Sequence, residues 1–197
     1  MALDTSLQAV LDFWFGAKDS AEYGKYRDIW FRAATPAFDQ EIRDRFLAAH
    51  EAAARGELDH ATESAEGSLA LLVLLDQFPR NMFRGSARAF ATDAKARAVA
   101  KHAIAKGFDQ QVPASMRGFF YLPFEHSEDL ADQEESVRLF EKLGEGEGLR
   151  YAVDHRDVIE RFGRFPHRNA VLGRTSTPDE IEYLKTAESW GQATPSK

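Results

Sequence analysis

The chain has 197 residues, a net charge of −7 and an isoelectric point near 5.4, which exclude a general nucleic-acid or anionic-membrane surface. It has no cysteine, so disulfides and thiolate metal sites are excluded too. Hydrophobic residues make up 44 %, with fifteen Phe among them, enough for a substantial aromatic core. The opening MALDTSLQAV has no basic segment followed by a long apolar one, so a signal peptide is not expected. No apolar run approaches the roughly 20 residues that span a bilayer. The expected location is the cytoplasm.

In chain order, Thr5 or Ser6 can cap a first helix with Leu7, Val10, Leu11 and Trp14 on one face and Gly16 as its stop. Residues 20–33 carry Tyr23, Tyr26, Ile29, Trp30 and Phe31 and read as a loop with one or two helical turns. Thr35 then caps with Pro36 at the first helical position, and Phe38, Ile42, Phe46, Ala49 and Ala53 follow at helical spacing until Gly56. A central helix is expected over residues 64–78. Residues 69–75 are apolar without a break, which leaves no polar face and places this helix at the middle of the core. It is expected to stop at Pro79, with residues 79–85 as a corner.

Thr92 caps the next helix, which ends at Gly107. Pro113 opens a short helix that Pro123 closes, and Ser127 caps a helix to Leu143. Residues 144–148, GEGEG, form a turn; residues 149–162 are helical, with Gly163 as the stop. Thr177-Pro178-Asp179-Glu180 is a capping box that starts a helix to about Ala187. Sustained period-two alternation is missing, so the fold class is all-α: about eight helices around the buried central one. Residues 1–187 are expected to form one domain and residues 188–197 a polar, frayed tail. Pro36, Pro79, Pro123 and Pro166 lie 43, 44 and 43 residues apart, and Phe78-Pro79-Arg80-Asn81 is echoed by Phe165-Pro166-His167-Arg168-Asn169. That period suits a helical-repeat stack.

Three segments, DQFPRNMFRGSARAFATD, FFYLPFEHSE and RFGRFPHRNAVLGRTST, together resemble the bacterial family known as domain of unknown function 924. The resemblance runs from about Val10 to Leu184. It implies a tetratricopeptide-like, all-helical fold and implies no activity. The family tends to place a tryptophan near His60-Ala61; here Ala61 stands there, which affects local packing before the central helix.

Several side chains could carry chemistry. Asp76 follows an apolar helix and faces the negative end of its macrodipole, so it needs a cation; Arg80 and Arg84 are nearest in sequence. Arg161, Arg164, His167, Arg168 and Arg174, with Asn169 among them, form a cationic cluster in an acidic chain. Arginine suits bidentate recognition of carboxylate or phosphate. Glu125 and His126 leave a proline-broken corner, where His126 could act as acid or base. His155 falls on the apolar face of its helix and reads as a hydrogen-bonded core residue. If the corners at Pro79, Pro123 and Pro166 gather, they line one pocket.

The leading expectation is a binding module. Asp76, Arg80, Asn81, Arg84, Arg164, Arg168, Asn169 and Arg174 would hold a small anionic ligand or an acidic peptide. The alternative is a hydrolase-type enzyme with His126 or His167 as acid/base, Glu125 or Glu128 orienting His126. A third reading is a protein-interaction scaffold in which each arginine merely pairs with a carboxylate. Metal-ligand, nucleotide-binding and nucleophile-elbow motifs are missing, so neither metal nor cofactor is expected.

Overall fold

The computed structural model describes residues 3–31 and 35–187. Among them the chain is all-helical, without strands. Helix α1 (Thr5–Phe15) is capped by Asp4, whose carboxylate accepts from the Ser6 amide at 2.8 Å, and α2 (Pro36–Arg55) by Thr35. The core run begins with α3 (Ala65–Leu72), passes through a π-helical turn (Val73–Gln77) and continues as α4 (Phe78–Met82). Then come α5 (Asp93–Ala105), α6 (Ala114–Glu125), α7 (Leu130–Leu143), α8 (Glu147–Phe162) and α9 (Pro178–Leu184).

Residues 69–75 are all buried, as a helix without a polar face must be. Helices α1, α5 and α6 all pack on α3; α2 lies along the π turn and α4. Helix α7 covers α6, and α8 covers α7. Aromatic rings lock α1 and α2 to the central run: Phe78 meets Trp14 of α1 edge-on at 5.4 Å and Phe46 of α2 at 4.9 Å. Gly67 sits where a Cβ would come within 2.1 Å of the Ala61 carbonyl oxygen, so only glycine allows the preceding turn to approach α3 this closely.

The run does not stop at Pro79. A proline at this position lacks the N–H that would bond back to Leu75, which sequence reasoning takes as the end of a helix. Here side chains replace it. The Thr92 hydroxyl donates to the Leu75 carbonyl at 2.5 Å, His50 Nδ1 to the Leu74 carbonyl at 2.8 Å, and Arg80 to the Asp76 carbonyl at 2.7 Å. Three successive carbonyls loosened by the π turn and the proline are thus satisfied from α2, α4 and the start of α5. Thr92 spends its hydroxyl there and makes no side-chain cap on α5. Asp76 lies inside a continuous helical run and not at a helix end.

Other boundaries differ for similar reasons. Pro123 sits inside α6, and Gln133 from α7 donates to the carbonyls of Glu125 and Ser127, each at 2.6 Å, finishing that helix. Asp129 rather than Ser127 caps α7, while the Ser127 hydroxyl donates to Asp132. The capping box at Thr177 and Glu180 is present, and Gly56 and Gly163 end their helices in the left-handed conformation. The four evenly spaced prolines occupy four settings: the first turns of α2 and α4, the interior of α6 and a 3-10 turn at Pro166–Arg168. Their spacing is not matched by equivalent local structure. No helix among the described residues is long and apolar enough to cross a membrane. The expected polar tail lies outside the described residues.

Candidate functional site

The π turn aims Asp76 inward, with only 1 % of its side chain exposed. Its Oδ1 accepts from His126 Nδ1 at 2.8 Å and lies 3.2 Å from the Arg80 guanidinium, and its Oδ2 accepts from the Gln77 amide at 2.5 Å. Arg80 reaches on to Asp93, at the start of α5, with two bonds of 2.9 and 3.1 Å. Asp93 also accepts from Arg168 at 3.3 Å. An alternating chain results: Arg168, Asp93, Arg80, Asp76, His126. Segments around Pro79, Pro123 and Pro166 therefore meet, although their residues are far apart in sequence.

Burial alone would push the Asp76 carboxyl up, but Arg80 and His126 reverse this and hold it well below the usual range. Being ionised, it can only accept, so His126 carries its ring proton on Nδ1. Burial and Arg80 depress the His126 imidazole despite Asp76, leaving it neutral at pH 7. Its side chain keeps a 14 % exposed edge. The ring of His155 lies 6.3 Å away and donates its own Nδ1–H to the Tyr151 carbonyl at 2.8 Å, as a core histidine would. His167 stands against Phe165, and burial with Arg168 and Arg80 nearby pulls it down to about 3.

Glu125 is buried 3.6 Å from His155, and its Oε2 has no hydrogen-bond partner. Burial, and Asp76 beyond it, push its carboxyl up to about 8 against the pull of Arg80, so it is a neutral acid at pH 7. Two carboxyls in one cluster are driven in opposite directions, the pattern of an acid/base pair. Arg168 is 6 % exposed, with its guanidinium 4.4 Å from the Phe90 ring and 4.5 Å from Phe165. Its Nε–H has no partner, and burial pulls it down to about 10 even beside Asp93.

The remaining expected site residues go elsewhere. Arg84 and Asn81 face away and bond Asp39 at the start of α2, at 2.8 and 2.7 Å. Arg164 bonds Glu180 at 2.6 and 2.8 Å, and Asn169 bonds Ser176 and Glu180. Arg174 forms a two-bond pair with Glu128, each at 2.8 Å, and Glu128 also accepts the Phe165 amide at 2.8 Å. These three fasten the segment from Arg164 to α9. Sequence reasoning missed Asp93, Gln77 and the two rings beside Arg168. Asp93 looked like an ordinary first-turn helix residue, and no spacing marks it as the partner of Arg80. Among the described residues no three His, Asp or Glu side chains converge as a metal would need.

The charge states give a pH prediction. The folded chain keeps a proton on Glu125 up to about pH 8, whereas an ordinary glutamate releases it near 4.5, so stability falls as pH rises towards 8. Below about 6.5 the unfolded chain protonates His126, His155 and His167 while the folded state resists, so stability falls again as pH drops. Urea unfolding across this range should show a broad maximum near pH 7, and the Glu125 contribution, read as wild type minus Glu125→Gln, should fall by ~1.5 kcal/mol between pH 6.5 and 8. Glu125→Gln should abolish the alkaline fall. A difference between wild type and Glu125→Gln that is the same at pH 8 as at 6.5 contradicts the assignment.

Comparison with known proteins agrees with the architecture. The profile of a family described as bacterial protein of unknown function (DUF924) matches residues 10–188. A solved structure of a protein of unknown function from Agrobacterium tumefaciens is similar, with a TM-score of 0.84 and 50 % sequence identity over 93 % of this chain and 100 % of that one. No curated protein matches.

Proposed function

We propose, from the premise that this chain belongs to the family of bacterial proteins of unknown function DUF924, that His126 and Asp76 form a general-base centre for hydrolysis of a small ester. One observation carries the reading. The Nδ1–H of a neutral histidine is fixed on a buried, ionised carboxylate at 2.8 Å, on a ring whose edge is still exposed. A base needs its proton-accepting nitrogen oriented, which Asp76 does, and Asp76 also offsets part of the penalty that burial and Arg80 place on the imidazolium. His167 has cationic neighbours and is the poorer base.

Nearby hydroxyls are committed elsewhere, Ser127 to Asp132 and Thr92 to Leu75, so water is the nucleophile. Water gives a proton to His126 Nε2 as its oxygen adds to the acyl carbon. The ester C–O bond then breaks and the departing alkoxide takes that proton back, leaving one acid and one alcohol. Glu125, neutral and buried beside His155, is a donor for the developing oxyanion.

The test is a panel of activated carboxylate and phosphate esters with wild type and His126→Gln. Wild type should exceed the buffer rate, and the variant should lose ~10²–10⁴-fold while melting within a few degrees of wild type. A wild type inert across the panel, or a fully active variant, overturns the reading. A non-catalytic anion-binding module is the second reading, favoured by the unpartnered Nε of Arg168. A purely structural network is favoured by the carboxylates that hold Arg80, Arg84, Arg164 and Arg174. Both predict no turnover, and they part on whether anions bind.

A further inference from the structure

Most arginines of the expected cationic cluster are occupied, and one donor is left over. The guanidinium of Arg168 lies against two phenyl rings, which cover its flat surface and leave its edge for hydrogen bonds. One NH group meets Asp93 at a long 3.3 Å. The Nε–H, on a side chain more than nine-tenths buried, meets nothing. A buried unpartnered donor is costly unless something outside the chain accepts from it. A second orphan, Glu125 Oε2, belongs to the same cluster: Glu125 touches His155, and the His155 ring lies 5.6 Å from the Phe165 ring that Arg168 covers.

We infer that Arg168 is the anchor for an anionic group of the substrate, a carboxylate or phosphate oxygen accepting from its Nε–H, so that the ester hydrolysed at His126 carries a negative charge. This rests on the reading of His126 as the base. Arginine's planar edge suits two-oxygen anions, and a site walled by phenyl rings strengthens the contact by keeping water away. The anchor and the base are opposite ends of one chain of charges, with links of 3.3, 2.9, 3.2 and 2.8 Å. An anion on Arg168 draws it from Asp93; Asp93 then holds Arg80 more tightly, and Asp76 is freed to favour a proton on His126. The groups facing His126 are Asp76, Arg80 and Asp93, with His155, His167 and Glu125 behind. Only the anion changes net charge there, so ligand and proton should be taken up together.

The test titrates the full-length protein with inorganic phosphate and, separately, acetate, in a cationic buffer with a matched chloride control, by calorimetry and by following histidine ring resonances. Wild type should bind at least one of them saturably, with the His126 ring signal moving towards the imidazolium position; which anion saturates first identifies the source. Arg168→Lys keeps the charge opposite Asp93 but removes the Nε–H, and should weaken binding at least tenfold. Arg138→Ala, on an exposed pair with Glu135, should change nothing. Saturable binding untouched by Arg168→Lys, or no saturation by either anion, overturns the anchor. If Arg168→Lys melts early, the wild-type His126 shift decides alone: without an anion-dependent shift the inference falls. Lost anion binding in Arg168→Lys with full turnover in His126→Gln would sink the base and spare the anchor. The reverse pattern would sink the anchor alone.

Discussion

Replacing Asp76 by Ala should lower the melting temperature by roughly 6–12 °C, equivalent to about 3 kcal/mol. The carboxylate has four claims on it in the interior: the His126 Nδ1–H, the Gln77 amide, Arg80, and the charge balance of the whole chain from Arg168. A paired buried charge is itself expensive, and its net contribution is small while every partner is present. Removing one member is different, because Arg80 and His126 stay buried with their donors unmet. Asp93 still holds Arg80, which keeps the expected loss near the lower end of the usual range. Asp76→Asn preserves volume and one acceptor, so it should lose less stability, yet it should free His126 to change tautomer and lose the proposed turnover as fully as His126→Gln. Thermal unfolding of both variants checks this. An Asp76→Ala protein as stable as wild type would mean that the cluster is solvated and holds nothing together.

The second large effect belongs to the core. Phe78→Ala should cost about 3–5 kcal/mol, read as a fall in the urea midpoint at constant slope. Phe78 is fully buried at the junction of the π turn and α4, with rings of Trp14, Phe46 and Phe13 at 5.4, 4.9 and 6.1 Å. Three elements lose their common filler at once, and residues braced by several helices cannot all collapse into the space. Phe78→Leu should recover most of the loss. A cost for Phe78→Ala below about 1 kcal/mol would show that α1 does not depend on this contact.

Asp76 could be singled out from the sequence because a carboxylate at the end of an apolar run is electrostatically exceptional wherever it sits. It sits in a π turn inside a continuous run, not at the helix end that Pro79 predicts. A π turn has no sequence mark of its own, and the groups that rescue the broken backbone bonds, Thr92 and His50, lie 17 and 24 residues away from the carbonyls they serve. His126 was legible as a candidate from its proline corner, and its partner was not, since the two are 50 residues apart. The arginine cluster around residues 161–174 was visible as charge density. Density does not say which cations are already held, and carboxylates from the turn before α7 and from α9 hold two of the three that sit outside the buried cluster, Arg174 and Arg164. The all-helical class was the easiest part, because apolar spacing, glycine stops and proline starts are local signals.

The most direct measurement is the protonation state of the His126 ring nitrogens at pH 7, by nitrogen-15 NMR of histidine-labelled protein, assigned with His126→Gln. The structure requires a neutral ring with its proton on Nδ1 and a bare Nε2, held so by Asp76, and it requires that signature to shift in Asp76→Asn. A ring found as imidazolium at pH 7, or neutral with the proton on Nε2, would contradict a base oriented by Asp76.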